Sequence, residues 1–582
     1  MIRLARHFFR SRWETFSQTP FGCLVRLFIG RMFHGRTGSD AGELDLSIGV
    51  IVILLAMPGL LVSLLMFEKY GSFIRFLRGA GAYDPFSATI PDEYFFLVLS
   101  MVVSGAAALW RWDSIFLDRR DFMNLVPLPI GLRNIFLANL CAIFALVGLL
   151  TLVVNAASMV LFPVVVVGSQ PSFSVFFRFA AGHAVVMLLA SAFSSLAVFA
   201  VAGFLMTLLP AAAFRRVSLL VRFAFAVSLL VLLGTSLAVP QWLTQLSVAD
   251  AHRVAILPPV SFLGLLRTLW GRGGEPFVAS MTRAAVASIG AAFFTTIVAY
   301  AVSFRRSFML IPETPDAGPL PRATFSFSPI APLREAVLRT PPQRACYHFL
   351  AKTLLRSDGH LQVVSGFLAL GLVASAAVLS LAPNLHSLVS HNPPSAEFLS
   401  VAFILAYSVI AGIRMAFEIP ADLPANWIFQ FWLDRERHEA RPTARRVLLI
   451  FSLSWLVPAC FLVTLAFWGW LLALLHAAIL ILCAAVLVEV LLLKFRKIPF
   501  TCPYPSFKSH SGLIGVAYLF GYVLFTYYLP QMENWSLADP RRIAWFAPLS
   551  ALVLGVIHFY RKQMLDMDKE LVFEDVSAPG FD

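Results

Sequence analysis

Few residues of this chain form the patterns that perform enzymatic chemistry. No G-x-x-x-x-G-K-[ST] stretch occurs, so the loop that holds ATP phosphates in many ATPases is absent from the sequence. His438-Glu439 has no second histidine one turn further on, and Cys502 with His510 would supply only part of a four-ligand zinc site. The stretch from Gly234 to Ala238 mimics a nucleophile elbow but falls within an apolar segment. We therefore expect no catalytic residue, no cofactor and no metal in this chain.

Polar residues inside apolar segments form a second group of candidates, because polar groups at membrane depth are costly and often functional. These intramembrane candidates are Glu489, His476, His183 and Asn155. The alternative explanation for Glu489 is that it lies near the membrane surface and pairs with Lys494. The two histidines are also explained as hydrogen-bonded to a neighbouring helix, and Asn155 as a hydrogen bond between helices.

Charged residues around two connecting loops form a third group. Arginines and aspartates of both signs lie together, which suits charge-assisted contacts with a soluble partner. In the first half they are Arg111, Asp118, Arg119, Arg120, Asp121 and Arg133, and in the second half Arg414, Asp434, Arg435 and Arg437. The alternative is a solvated loop whose arginines only fix the membrane topology.

The composition is that of a membrane protein. Hydrophobic residues make up 59% of the chain and charged residues 13%, with a mean hydropathy of +0.80. A transmembrane helix needs about 20 apolar residues, and its backbone groups must be paired within the helix. The fold class that follows is an all-α polytopic membrane protein of about twelve spans.

The apolar segments and the charge of their connections give a topology. The predicted helices lie at about 48–67, 94–110, 134–167, 184–209, 223–240, 284–303, 362–382, 398–413, 447–466, 470–493, 512–529 and 543–559. The connections on one side, taken alternately and with both chain ends, carry 35 of the 45 Lys and Arg residues. Because cytoplasmic loops are rich in Lys and Arg, both termini are predicted to be cytoplasmic.

The segments divide the chain into two halves of six helices. A basic segment with aromatic and aliphatic residues precedes the first helix of each half, which suits a helix lying in the headgroup layer. The alternative for the first of these segments is an ordinary basic leader. The predicted regions are 1–47 (amphipathic segment), 48–303 (first membrane unit), 304–361 (proline-rich linker and amphipathic helix), 362–559 (second membrane unit) and 560–582 (tail).

The run from Asp118 to Asp121, followed by Leu128-Pro129 and Arg133, resembles a pattern in the permease subunits of type-2 ABC exporters. The resemblance covers about 25 residues by motif and the rest of the chain by architecture. It implies a six-helix unit with an N-terminal amphipathic helix and a coupling helix between the second and third spans, here with two units fused. It also implies a separate ATPase subunit as partner, which would bind ATP and magnesium.

Other functions stay open at this stage. A secondary transporter of the major-facilitator type has the same twelve spans and long central loop, and a membrane-embedded enzyme of lipid or cell-wall chemistry is a third class. Membrane lipids are expected partners and nucleic acid is not, because the basic residues are spread over the loops beside the spans. The predicted location is the bacterial cytoplasmic membrane, as a multi-pass protein. No motif identifies the substrate.

Overall fold

The chain forms helices in the part that the computed structural model describes. The described residues are 19–33, 41–70, 84–112, 124–125, 127–167, 172–236, 257–274, 276–310, 341–380, 394–419, 440–493, 499–500, 511–539, 541–542, 548, 551–557 and 559. Helices and turns account for their regular structure, and no strand occurs among them. The all-α prediction is thus confirmed for these residues. The chain divides into two compact units, Met1–Pro321 and Arg322–Asp582.

Among its described residues, unit 1 contains eight helices of 12 residues or more. In chain order they are α1 (Pro20–Phe33), α2 (Ala41–Tyr70), α3 (Ile90–Trp110), α4 (Leu132–Val167), α5 (Phe173–Leu208), α6 (Ala211–Thr235), α7 (Pro258–Leu269) and α8 (Pro276–Leu310). Helices α4 and α5 have 36 residues each, or about 54 Å at 1.5 Å per residue. Because the hydrocarbon core is about 30 Å thick, these helices are long enough to tilt or to extend beyond it.

Helices α3 and α5 form the centre of unit 1. They pack on each other, and α4, α6 and α7 pack against both of them. Small residues bring the backbones close together: a Cβ on Gly105 of α3 would lie 2.5 Å from the hydroxyl oxygen of Ser194 on α5. Buried apolar side chains form two clusters, one around the start of α3 (Tyr94, Phe96, Phe179, Trp270) and one around its end (Phe28, Trp112, Ile135).

Unit 2 repeats the pattern with fewer described helices. They are α9 (Pro341–Arg356), α10 (Asp358–Ser380), α11 (Ala396–Ala416), α12 (Ala440–Trp468), α13 (Trp470–Leu491), α14 (Ser511–Val523) and α15 (Leu529–Leu537). A π-helical turn, Leu524–Tyr528, joins α14 to α15. A single residue, Gly469, separates α12 from α13, and its φ of 88° is one that glycine adopts without strain.

Nine helices in the described part are long and apolar enough to cross a membrane; they lie within α3, α4, α5, α6, α8, α10, α11, α12 and α13. A multi-pass membrane protein is therefore confirmed as the coarse architecture. The other three of the twelve predicted spans, at 48–67, 512–529 and 543–559, include residues or side chains outside the described set. The number twelve and the orientation stay predictions.

The amphipathic helices occupy corresponding places in the two units. Helix α1 packs on α4, the third long helix of unit 1, and α9 packs on α12, the third long helix of unit 2. The second, third and fourth long helices also pack on one another in both units. The first long helices differ, because α2 packs mainly on α4 whereas α10 packs mainly on α11. The short helix α7 begins with Pro258 and Pro259 in its first turn, where proline is tolerated.

Candidate functional site

A buried pair of ionisable side chains joins the two central helices of unit 1. His183 of α5 and Glu93 of α3 are both fully buried, and Nδ1 of the imidazole lies 2.7 Å from Oε2 of the carboxyl group. The prediction that His183 is bonded to a neighbouring helix is confirmed. The partner, Glu93, lies in the first turn of α3. This position is one residue before the span predicted from the sequence, which begins at 94.

The surroundings of this pair are aromatic. Phe96 and Phe162 lie with their ring centroids 5.8 Å and 5.2 Å from that of His183. The other carboxyl oxygen, Oε1 of Glu93, and the other ring nitrogen, Nε2 of His183, are buried without a hydrogen-bond partner among the described residues. Each ionisable group of the pair therefore keeps one polar atom unused.

The neighbour of Glu93 connects the region to exposed groups. Asp92 accepts a hydrogen bond from the hydroxyl group of Tyr70, and Nζ of Lys69 lies 2.7 Å from its Oδ2. The Lys69 side chain is 53% exposed and that of Asp92 is 11% exposed. Glu93 is thus one residue along the chain from a carboxylate whose own partner faces solvent.

A second ion pair joins the connection between α2 and α3 to the residues that follow α7. Asp84 caps the turn Pro85–Ala88 by accepting a hydrogen bond from the Phe86 amide at 3.2 Å, and it also forms an ion pair with Arg272. Burial alone would raise the pKa of Asp84, but the hydrogen bonds from Arg272, Ser87 and the Phe86 amide outweigh it and hold the pKa below 3.8.

Unit 2 contains a pair of the same chemistry. Nδ1 of His476, on α13, lies 2.8 Å from Oε1 of Glu533, on α15, and the two side chains are 3% and 0% exposed. Oε2 of Glu533 is buried without a hydrogen-bond partner among the described residues. Phe403 of α11 lies 6.2 Å away, centroid to centroid, from the His476 ring. As predicted, His476 is bonded to a residue of another helix.

The other two intramembrane candidates are also paired. Glu489 of α13 is 5% exposed, and its Oε1 lies 2.8 Å from Nη1 of Arg445 on α12; Lys494, the partner weighed from the sequence, lies outside the described residues. Asn155 of α4 accepts a hydrogen bond at 2.5 Å from the hydroxyl group of Ser100 on α3, which confirms a bond between helices.

The charged residues of the two loops are only partly described. Arg111 follows α3 directly, half-buried, and Arg133 is exposed in the first turn of α4. Arg414 is 14% exposed, with Nη1 at 2.6 Å from Oε1 of Glu418 and its Nε donating to the Leu491 carbonyl. Its guanidinium group is thus held within unit 2. Asp118, Arg119, Arg120, Asp121, Asp434, Arg435 and Arg437 lie outside the described residues.

The end of unit 1 that carries Arg111 also carries the amphipathic helix. Leu24 and Phe28 of α1 pack in one buried cluster with Trp112 and with Ile135 of α4. Trp112 is fully buried, and the guanidinium group of Arg222, on α6, lies 5.4 Å from its ring centroid. The amphipathic helix, the end of α3 and the start of α4 therefore meet at one end of the unit.

At the corresponding end of unit 2, the equivalent helix ends meet: the amphipathic helix, the end of the second long helix and the start of the third. Tyr347 and Leu350 of α9 pack with Phe417, at the end of α11, and with Val447, near the start of α12. Arg446 of α12 donates a hydrogen bond to Gln343 of α9. In both units the His–Glu pair lies toward the opposite end of the helices, because Glu93 begins α3 and His476 is near the beginning of α13.

Sequence reasoning missed Glu93 and Glu533 because it placed helix ends by hydropathy. Glu93 precedes the predicted start at 94, and Glu533 follows the predicted end at 529. A signal existed for Glu93: Ile90-Pro91-Asp92-Glu93 has a proline in the first turn and two acidic residues, which is typical of a helix start. For Glu533 no such signal exists, since a π-helical turn carries the helix onward past Pro530.

Among the described residues no group of three or more His, Cys, Asp or Glu side chains is placed to hold a metal ion. Comparisons of the chain with protein-family models, with curated proteins and with solved structures found no match.

Proposed function

We propose that this chain is the permease subunit of an ATP-driven exporter of the bacterial cytoplasmic membrane, and that a separate ATPase subunit docks on it. The proposal includes twelve transmembrane helices and places both termini in the cytoplasm. One observation carries it: in each unit an amphipathic helix packs on the third long helix, beside the end of the second. A permease needs such a surface twice, because ABC ATPases act as a pair.

The connection between α3 and α4 suits the docking of a soluble subunit. Arg111 and Arg133 flank it, and Asp118, Arg119, Arg120 and Asp121 lie within it. Charges of both signs favour a complementary partner and disfavour wrong ones. The buried Trp112, held by apolar contacts and by Arg222, ties the beginning of this connection to the helices, so that movement of a docked subunit would reach α3.

The proposed mechanism is a two-state change. Closure of the ATPase on ATP and magnesium would favour one arrangement of the helices and hydrolysis the other, which requires that the nucleotide states differ in their affinity for the two arrangements. In this chain the role of α3 is that of a rigid element: its 21 residues span about 30 Å, so that Glu93, in its first turn, lies about 25 Å from the docking end.

The first test is to purify the tagged protein gently from its native host and to identify co-purifying proteins by mass spectrometry. We expect a soluble ATPase with a phosphate-binding loop in a fixed ratio to this chain. The double variant Arg119→Glu and Arg120→Glu should reduce its recovery at least tenfold, because like charges would then face the partner's complementary surface.

The matched control is Arg75→Glu with Arg78→Glu, which changes the same charge in a connection predicted to lie outside the cell. This control should retain the ATPase. Both variants must elute as monodisperse membrane proteins of unchanged thermal stability, so that loss of the partner is not loss of the fold. Full ATPase recovery with the Arg119/Arg120 variant would contradict docking at this connection.

The buried pairs favour a second candidate, an ion-coupled secondary transporter. Few charged residues lie within the apolar segments, which counts against that class, but the buried Glu93–His183 and Glu533–His476 pairs weaken that objection. The same purification separates the two functions. Reproducible absence of any ATPase from intact, monodisperse protein would place the ion-coupled transporter first.

A further inference from the structure

Two arginines flank one phenylalanine ring at the end of unit 1 where α3 and α5 begin. The guanidinium carbon of Arg178, on α5, lies 5.6 Å from the centroid of the Phe86 ring, and that of Arg272, which follows α7, lies 5.5 Å from it. The ring is itself fixed, because it packs against Trp270 with 5.2 Å between the ring centroids. Both guanidinium groups are thus held by one aromatic surface.

Gly271 makes room for Arg178. Its φ is 74°, in the left-handed region that glycine adopts without strain. A Cβ at this position would overlap the guanidinium group of Arg178, with the guanidinium carbon only 3.0 Å away. Any side chain here would displace that group, so that one glycine both forms the turn after α7 and seats the arginine.

The two arginines differ in their partners. Nη2 of Arg272 forms an ion pair with Asp84, whereas Arg178 is exposed and makes no hydrogen bond or ion pair within the described part of the chain. The three side chains together carry two positive charges and one negative charge. They therefore complement one further negative charge, and planar guanidinium groups suit the oxygens of a phosphate group.

Apolar side chains beside the arginines indicate an anion that carries hydrocarbon. Phe173 and Phe177, one turn apart on α5, are 81% and 65% exposed, and Leu269, at the end of α7, is 43% exposed. Arg178 lies six residues before the apolar segment predicted to begin at 184, or about 9 Å along the helix. This distance brings its side chain to the headgroup layer outside the hydrocarbon core. A free phosphate ion would leave the exposed rings in water, whereas a phospholipid would cover them.

We propose that Arg178 and Arg272 bind the phosphate group of an anionic phospholipid, whose acyl chains lie along the exposed phenyl rings of α5. Arg178 supplies the unpaired charge, and Arg272 adds the N–H donors that its ion pair with Asp84 leaves free. A headgroup with one net negative charge, such as phosphatidylglycerol, neutralises the excess positive charge. A zwitterionic headgroup brings its own cation beside the arginines. In the predicted topology this lipid belongs to the outer leaflet.

The lipid site lies away from the proposed docking surface. It is at the beginning of α3 and α5, whereas the docking connection follows the end of α3. The two proposals concern different binding partners, so that absence of an ATPase would leave lipid binding unaffected, and absence of lipid selectivity would leave docking unaffected.

Native mass spectrometry of the purified full-length chain resolves single bound lipids and tests the proposal. Phosphatidylglycerol and phosphatidylcholine with the same acyl chains are titrated separately into the detergent solution. We expect one phosphatidylglycerol to bind about tenfold more tightly than phosphatidylcholine, the equivalent of one charge-assisted hydrogen bond. Arg178→Gln should remove this difference, and inorganic phosphate should not displace the lipid.

The matched control is Arg283→Gln. Arg283 is exposed on α8, one residue before the apolar segment predicted to begin at 284, and it stacks on no aromatic ring in the described part. This variant should keep the selectivity. Arg178→Lys keeps the charge but not the planar group, so that it should lose most of the selectivity; it also tests the proposal if the glutamine variant fails to fold.

Four results would overturn the proposal. Equal affinity of the wild-type chain for the two lipids would remove the claim of an anionic headgroup. Unchanged selectivity in Arg178→Gln, or an equal loss in Arg178→Gln and Arg283→Gln, would show that the arranged pair of arginines is not the site. Displacement of the lipid by inorganic phosphate would assign the arginines to a free anion.

Discussion

At the scale of single residues, several buried polar groups of unit 1 are satisfied by a neighbouring helix. Ser194 of α5 donates to the Met101 carbonyl of α3 at 2.7 Å, and Thr296 of α8 to the Leu196 carbonyl of α5 at 3.1 Å. Such bonds hold helices together where lipid supplies no hydrophobic drive. Glu93 bonds His183 of α5 through one carboxyl oxygen, and its other oxygen is buried without a partner among the described residues, as are the hydroxyl oxygens of Thr151 and Ser191.

We predict that Glu93→Ala destabilises the protein more than Glu93→Gln. The alanine variant leaves the buried imidazole of His183 without its partner, a loss of about 3 kcal/mol for one member of a buried pair. Glutamine keeps an oxygen that accepts from Nδ1–H, so that its cost should be about 1 kcal/mol. The thermal unfolding temperature in one detergent, read by tryptophan fluorescence, measures the difference.

Glu397→Ala serves as reference for this series, since Glu397 is half-buried and its loss should change the free energy of unfolding by about 0.5 kcal/mol or less. The expected order of unfolding temperatures is Glu397→Ala highest, then Glu93→Gln, then Glu93→Ala. Equal values for Glu93→Ala and Glu397→Ala would show that the pair makes no contribution to stability.

At the scale of helices, close contacts through glycine fix how α7 sits in unit 1. A Cβ on Gly264 would lie 2.2 Å from the Cβ of Met281 on α8, and one on Gly182 would lie 2.6 Å from Nε1 of Trp270. Trp270 follows α7, is fully buried and stacks on Phe179 of α5 at 4.8 Å between ring centroids. These contacts hold α7 over the aromatic cluster that surrounds the Glu93–His183 pair.

We predict that Gly264→Ala destabilises unit 1 by about 1–3 kcal/mol, because the added methyl group overpacks a contact that leaves it no room. Gly290→Ala on α8 is the matched control. A Cβ at Gly290 has nothing within 4 Å, and alanine favours a helix over glycine by about 1 kcal/mol. The unfolding temperature should fall for the first variant and hold or rise for the second; a fall of similar size in both would argue against the packing of α7 on α8.

The existence of the helices was predictable from the sequence, because long apolar segments mark them. Eleven of the twelve apolar segments overlap a helix that has its own bounds in the structure, from α2 at 48–67 to α14 at 512–529. Their ends were less predictable: α5 begins at Phe173, although the predicted span began at 184. Packing between helices buries polar turns such as Asp92-Glu93, and no single-sequence signal reports which helix will supply the partner.

The candidate site illustrates that limit. His183 and His476 were found because a histidine in an apolar run is conspicuous, but their carboxyl partners are 90 and 57 residues away in the sequence. Arg445 similarly pairs with Glu489 across two helices. Contacts at such distances depend on the register of one helix against another, which is a property of the packed bundle.

At the scale of the whole molecule, the two halves of the chain resemble each other more in the order of their helices than in their amino-acid sequence. Amphipathic helices α1 and α9 each pack on the third long helix, and each unit has its own buried apolar clusters. The first long helices depart from the repeat in what they pack against. A common docking end in both units is therefore compatible with two units whose other contacts have diverged.

The orientation of the chain in the membrane decides what these two ends can meet. We predict that a cysteine at Ala317 is cytoplasmic and one at Ser390 is outside, because the connections on the side of Ala317 carry 35 of the 45 Lys and Arg residues. In a background without the six native cysteines, two of which, Cys23 and Cys141, are exposed, a membrane-impermeant maleimide should label Ser390→Cys in intact cells. Ala317→Cys should react only after the membrane is opened. The reverse pattern would put the amphipathic helices outside the cell, where no ATPase could reach the connection between α3 and α4, and would leave the His–Glu pairs nearer the cytoplasm.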